Sequence, residues 1–398
     1  MIVGRHWFSI IMALVTLGGC GPGKIVTDLG ISALPGSAEA RLSRGRDGEV
    51  LLSYLEPTSH GSALRFHMFE NNQWSPQYTV ATGTDWLVNW ADFPSVVPIA
   101  KDLWAAHWLV MQTGGGFAYD TVIAVSNDRG ATWSIPVSPH TDGSRAEHGF
   151  VSLFGSGDAV GAIWLDARAH SDPEASNVGM QLRSAVINDD GTLSSQVVID
   201  ELVCDCCQTD LAVATSGPIA VYRNRSDAEI RDIFVSRRIG GAWRPGKLVA
   251  HDGWEISGCP VNGPAVDAEG DAVAVAWYTT APDKRIQVAF SHDSGASFDG
   301  AINLATQQPV GRVDISLVDS DRAIVSWLQG GSGQLASKMI HRDGTLSSVI
   351  AVAPMEVHRN AGFPQMTKQG DTLIFAWTDT SGELSQVRSA RVDLSSFK

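Results

Sequence analysis

One pattern limits the fold of this chain more than any other. A short apolar strand with an aromatic near its end recurs seven times: "EVLLSYLE", "LWAAHWLV", "AVGAIWLD", "PIAVYRNR", "AVAVAWYT", "AIVSWLQ" and "LIFAWTD". The aromatics are Tyr54, Trp108, Trp164, Tyr222, Trp277, Trp327 and Trp377, spaced 54, 56, 58, 55, 50 and 50 residues apart. This period exceeds that of the purely helical repeats, and repetition implies like units burying their faces against one another. Each copy keeps one order. A strand precedes a Gly- or Asp-bearing turn, the aromatic strand follows, and a polar loop leads to a third alternating strand, a tight turn and a weaker fourth strand. Four antiparallel strands per repeat of this length make one blade of a β-propeller. The expectation is an all-β propeller with seven blades favoured and six as the alternative. The last copy, "LSQVRSARVDL", is one strand short, and "KIVTDLGIS" near the N-terminus is expected to supply it and close the ring. Forty glycines, 13 tryptophans and a charged fraction of only 18% suit such a fold.

The turn after the third strand carries the most specific motif. "SNDRGATW" and "SHDSGASF" both fit S-x-D-x-G-x-[ST]-[WF], with Asp128, Gly130 and Trp133 in the first and Asp293, Gly295 and Phe298 in the second. The Asp accepts backbone N–H groups within the turn, the Gly permits positive φ, and the aromatic packs between sheets. Degenerate forms, "NDDGTLSS" and "HRDGTLSS", hold the same place in other repeats. This motif resembles the Asp box, or BNR repeat, of the sialidase (neuraminidase) superfamily, and the resemblance spans most of residues 40–398. It implies a structural turn, not a functional residue.

The N-terminus reads as a targeting segment. Arg5 and His6 precede the apolar run "WFSIIMALVTL", which ends in "LGGC" and is too short for a permanent membrane span. "LGGC" resembles a bacterial lipobox. Residues 1–19 are then a lipoprotein signal peptide and Cys20 the lipidated N-terminus, with residues 20–35 leading into the closing strand and 36–398 forming the propeller. Gly21 after the Cys implies the outer membrane of the cell envelope. Net charge is −14 with a pI near 5.1, which excludes nucleic acid as a partner. A monomer is expected.

In an antiparallel blade the turns alternate between two faces. The Asp boxes mark one; the other gathers the loops between second and third strands and the crossovers between blades. These varied polar loops on a rigid scaffold are where function is expected. The sialidase resemblance implies three arginines on a substrate carboxylate, an Asp as acid/base and a Tyr–Glu nucleophile. Arg223 or Arg225 in "VYRNR" best matches a first arginine, with Arg168 and Arg312 as further members and Asp92 or Asp166 as the acid. "CCQTDLAV" occupies the place of the family's Glu, and no Tyr follows Tyr278. Trp86 and Trp90 suit either a sugar-stacking platform or packing between blades. His148, Asp227 and His358 complete the candidate ligand-binding set for a glycan or small anion.

The remaining signal is "ELVCDCCQTD". Four of the five cysteines follow the signal segment: Cys204, Cys206, Cys207 and Cys259. An even count in an oxidising compartment predicts a disulfide between Cys259 and one of the other three, tying neighbouring crossovers. A thiolate site for copper(I) or zinc, or a redox relay activated by nearby arginines, are the alternatives. Two functions therefore compete: a sialidase-like hydrolase, and a non-enzymatic metal-binding or scaffold lipoprotein.

Overall fold

The computed structural model describes residues 25–114, 116–171 and 179–398. Cys20 and the signal segment lie outside them. The repeated strands form seven separate antiparallel sheets in chain order, the blades of one propeller ring. Blade 5 shows the logic plainly. Its strands Ala265–Glu269, Ala272–Thr279, Arg285–Ser291 and Ile302–Ala305 pair in sequence. The second strand, AVAVAWYT, is buried at every position. Alternation decides which neighbour each residue meets. Val273, Val275 and Trp277 pack on Ile219 and Val221 of blade 4, while Ala274, Ala276 and Tyr278 pack with Ile315, Val325 and Trp327 of blade 6. All seven repeat aromatics are buried this way, Trp377 the most exposed at 8%.

The ring closes at the termini. Val26–Asp28 pairs antiparallel with Gln386–Asp393, in the register Val26 to Val392, and becomes the fourth strand of blade 7. The fourth strand is broken into two short pieces in blades 1 and 4 and is lost as a strand in blade 2. Its sheet holds Ser95–Pro98, Trp104–Met111 and Tyr119–Ser126, and the fourth position is reduced to a bridge between Ile123 and Val137. On one face the Asp-box turns do what their chemistry requires. Asp128 accepts from Ser126 Oγ at 2.8 Å, Thr132 N at 2.8 Å and Thr132 Oγ1 at 2.7 Å. Gly130 has φ +80°, and a Cβ there would lie 2.8 Å from Phe66. Asp293 repeats the arrangement with Ser291 and Ser297.

Each innermost strand is a sheet edge facing the channel, so its outward N–H groups have no ladder partner. In four blades a carboxylate from earlier in the chain supplies one. Asp92 Oδ1 accepts from Phe150 N at 2.8 Å, Asp210 Oδ2 from Val266 N at 2.8 Å, Asp267 Oδ2 from Leu317 N at 2.8 Å, and Asp314 Oδ2 from Met366 N at 2.6 Å. Two blade 1 arginines then reach across the channel. Arg41 bonds Asp210 and Gln365, and Arg44 bonds Asp267. The channel encloses about 850 Å³.

Candidate functional site

The arginines expected to share a carboxylate do not converge. Arg223 ends a strand of blade 4 at 1% exposure. Its Nε donates to Asn262 O, and its two terminal nitrogens donate to Arg231 O and Tyr278 O, at 3.0, 2.6 and 2.8 Å. Its guanidinium lies 4.7 Å over the Trp254 ring. Arg312 donates to Gly362 O and His358 O and stands 4.9 Å from the Trp90 ring. Burial pulls its pKa down to about 10. Arg225 is held by Glu229 at 2.6 Å and Asp205 at 3.0 Å. Arg168 is held by Asp166 at 2.6 Å and Asp142 at 3.1 Å. Two or three carbonyls, or two carboxylates, already engage each fork, so these arginines hold loops in place.

The tryptophans pack as well. Trp86 lies 5.3 Å from Trp108. Trp90 stacks on Phe363 at 5.9 Å, with Arg312 against both rings. Asp227 is exposed on the loop between the second and third strands of blade 4. His358 is exposed and bonded to Glu356 at 2.7 Å, and it is not part of the cysteine cluster.

Three groups of polar side chains remain on the crossover side. The first is built around Asp92. Asp92 binds Tyr119 Oη at 3.0 Å as well as Phe150 N. A Cβ at Gly149 would fall 1.9 Å from Asp92 Oδ2, so glycine is needed there. Glu39 stands on the bulge that opens the blade 1 inner strand, at φ +61° and 7% exposure, and its Oε2 has no hydrogen-bond partner. Burial, then the charge of Asp92, pushes the Glu39 carboxyl up to about 8. Burial pushes Asp92 up to about 7 against its two hydrogen bonds. Asp92 lines the channel.

The second group joins His148, Asp166 and Arg168, which the sequence had nominated for separate roles. It adds Asp120, His140 and Asp142. His140 and His148 are buried, and their rings stack at 3.7 Å with planes 17° apart. Asp120 Oδ1 lies 3.4 Å from His140 Nε2 and 3.3 Å from His148 Nδ1. Asp166 is fully buried and receives Trp164 Nε1 at 2.8 Å and the Arg168 fork. Burial and the neighbouring His148 hold His140 below the ordinary imidazole range. His148 is held above it, against burial, by Asp120 and then by Asp166 and Asp142.

The third group is the cysteine turn. The expected bond from Cys259 is not formed: all four cysteines are free, and Cys259 is exposed outside the cluster. The cause is local. Residues 204–207 form a tight turn, which brings its first and fourth residues together. Cys204 Sγ lies 2.8 Å from Cys207 Sγ and 4.0 Å from Cys206 Sγ. Asp205 fixes the turn through Met180 N and Arg225. Arg231, not Arg225, reaches Cys204 Sγ at 3.4 Å. Burial opposes ionisation of Cys204, yet hydrogen bonds from Cys206 and Cys207 and the charge of Arg223 hold its thiol well below the usual range.

Sequence reasoning missed Glu39, Asp120, His140, Asp142 and Arg231. His140 and Asp142 sit in the same crossover, "HTDGSRAEHGF", from which His148 was chosen, so a cluster of His and Asp within one crossover was the available signal. Glu39 carried none, because nothing in "GSAEARLSR" announces a bulge.

No protein family matches the sequence, and no curated protein does either. Solved structures do. The α-L-arabinanase of Penicillium chrysogenum, solved with arabinobiose, aligns over 94% of this chain and 99% of its own at 13% identity and a TM-score of 0.51. The GH93 α-L-arabinofuranosidase of Fusarium graminearum aligns over 94% and 97% at 12% identity and 0.51. The NanB sialidase of Streptococcus pneumoniae aligns over 95% and 71% at 11% identity and 0.49. At such identity the likeness establishes the propeller fold.

Proposed function

We propose that the chain is an exported propeller, lipid-anchored through Cys20 in the cell envelope, that binds a glycan at the crossover face and hydrolyses a glycosidic linkage at the channel mouth. The observation that carries this reading is the Glu39–Asp92 pair. Glycoside hydrolysis needs one carboxyl that keeps its proton near neutral pH and a second that works beside it. Glu39, with its unpartnered oxygen, is the proton holder. Asp92, oriented by Phe150 N and Tyr119, is the channel-facing partner. Similarity to enzymes acting on arabinose polymers supports a neutral glycan. The exo-sialidase version lacks its arginine cluster: Arg168, Arg223 and Arg312 are separately engaged.

The test is a chromogenic panel of arabinofuranosides, other neutral glycosides and sialosides, run with the mature domain and with Glu39→Gln and Asp92→Asn. Turnover of a neutral glycoside that both variants abolish supports the reading. Neither turnover nor binding across the panel sinks it. One observation favours a second reading, a non-enzymatic thiol or metal lipoprotein. The sulfurs of Cys204, Cys206 and Cys207 lie together. A silent glycan panel with copper(I) or zinc retained by these thiols would support that alternative.

A further inference from the structure

We propose that Asp120, His140 and His148 form a binding site for a divalent transition metal of the zinc class. The argument starts from a conflict of lone pairs. His140 Nδ1 lies 2.9 Å from Asp142 Oδ1, and His140 Nε2 lies 3.4 Å from Asp120 Oδ1. A neutral imidazole has one N–H, so in either tautomer a bare nitrogen faces a carboxylate oxygen. The hydrogen bonding assigns the proton to Nδ1, since Nε2 makes no hydrogen bond although the side chain is only 7% exposed. Adding a second proton does not relieve both rings. His148 stacks on His140 at 3.7 Å and also lies among carboxylates: Asp120 at 3.3 Å, Asp142 at 3.7 Å and Asp166 at 3.8 Å. Two charged rings in contact repel, so one of them keeps a bare nitrogen. A cation between His140 Nε2, His148 Nδ1 and Asp120 Oδ1 removes the conflict.

Three further features fit. Ligands at 2.0–2.1 Å from a tetrahedral ion stand ~3.3 Å apart, and the two nitrogen-to-oxygen separations are 3.4 and 3.3 Å. Metal-bound histidines turn their other nitrogen toward a carboxylate. Here Asp142 faces that nitrogen of His140, and Asp142 and Asp166 face that of His148. Those two carboxylates are themselves fixed by Arg168, and Asp120 receives Gln112 Nε2 at 2.7 Å. Charge agrees too. Three carboxylates meet one closely bonded arginine, with Arg183 only at 4.0 Å from Asp166. Two imidazoles and a carboxylate suit zinc, iron(II), cobalt(II) or nickel(II) over calcium or magnesium. Asp120, with a side chain 34% exposed, leaves the ion open to solvent or a ligand. Coordination puts the ion in both ring planes, so loading turns the rings out of their stack. His140, which stands on a loop outside any strand, supplies that movement.

The proposal does not rest on glycan activity, and its readout is the ion itself. Metal-free mature protein is titrated with cobalt(II). The expected result is one bound equivalent with ligand-field bands and no sulfur-to-cobalt charge-transfer band. His140→Gln and Asp120→Asn should each weaken binding more than 100-fold, and Asp142→Asn, which removes no ligand, about 10–100-fold. Unfolding midpoints of the variants show that they fold, and Asp142→Asn carries the test if the others do not. Binding unchanged in the variants, or a charge-transfer band placing cobalt on the cysteine turn, overturns the assignment, as does failure to bind cobalt.

Discussion

Replacing Glu39 with Gln should flatten the dependence of stability on pH. The Glu39 carboxyl is raised from 4.5 to about 8, chiefly by burial and then by the charge of Asp92. A folded pKa above the unfolded one means that, between these values, the native chain holds a proton the unfolded chain has released. Stability is therefore complete below about 4.5 and falls as pH rises through about 8. At ~1.4 kcal/mol per pH unit, the interval from 4.5 to about 8 amounts to roughly 5 kcal/mol. Asp92 is raised in the same window, to about 7, so the two titrate as a pair and their contributions do not simply add. Glu39→Gln keeps the shape, needs no proton, and removes the charge that repels Asp92. Urea unfolding of the mature domain, followed by tryptophan fluorescence from about pH 5 to pH 8, measures both curves. Wild type should lose stability by about 1 kcal/mol or more per unit, and the variant by markedly less. Parallel curves would refute the claim that Glu39 holds a proton at neutral pH, and with it the acid assigned to the channel mouth.

Other changes separate structural from ligand-binding roles. Arg223→Ala should lower unfolding stability by about 3 kcal/mol or more, because Asn262, Arg231 and Tyr278 lose the donor that ties three segments. A stable variant that only loses ligand would return Arg223 to the binding site. Asp267→Ala should cost about 2–3 kcal/mol through Leu317 N and Arg44, seen in chemical denaturation, without any change at the Asp-box turns. With an alkylating reagent on native protein, Cys259 should be modified first and Cys204 and Cys207 only on unfolding, by peptide mass mapping. Early loss of Cys204 would contradict the buried turn.

The fold was legible because its signals are local and repeated. Trp164 and Trp277 each end a buried second strand wherever the period puts one. The Asp128 turn closes within its own eight residues, and "KIVTDLGIS" was needed to complete a blade whatever the loops did. The partners of the candidate site residues come from far along the chain. Arg223 meets carbonyls 8, 39 and 55 residues away, which turns a plausible ligand arginine into a brace. Cys259 looked paired because its crossover neighbours the cysteine turn, but a four-residue turn satisfies Cys204 with Cys207 first. Glu39 was illegible because its role depends on a bulge and on Asp92, more than fifty residues on.

Charge on the crossover face bears on what can bind there. Of the four arginines that suggested an anionic ligand, Arg223 and Arg312 are engaged by carbonyls, while Arg168 meets Asp142 and Asp166 and Arg225 meets Glu229 and Asp205; Arg231 beside them meets Glu229. The two acidic clusters also feel each other, since burial and then Asp205 raise the Glu147 carboxyl beside His148. An anion entering between blades 2 and 4 would have to displace a carboxylate from an arginine and then sit among those that remain, and at partly buried sites such repulsion is poorly screened. A neutral sugar meets no such barrier, and a divalent cation is drawn in. The same electrostatics therefore oppose an anionic ligand beside these clusters and support the metal ion proposed at the paired histidines. A sialoside that bound more tightly than its uncharged analogue would show that this field does not govern the face.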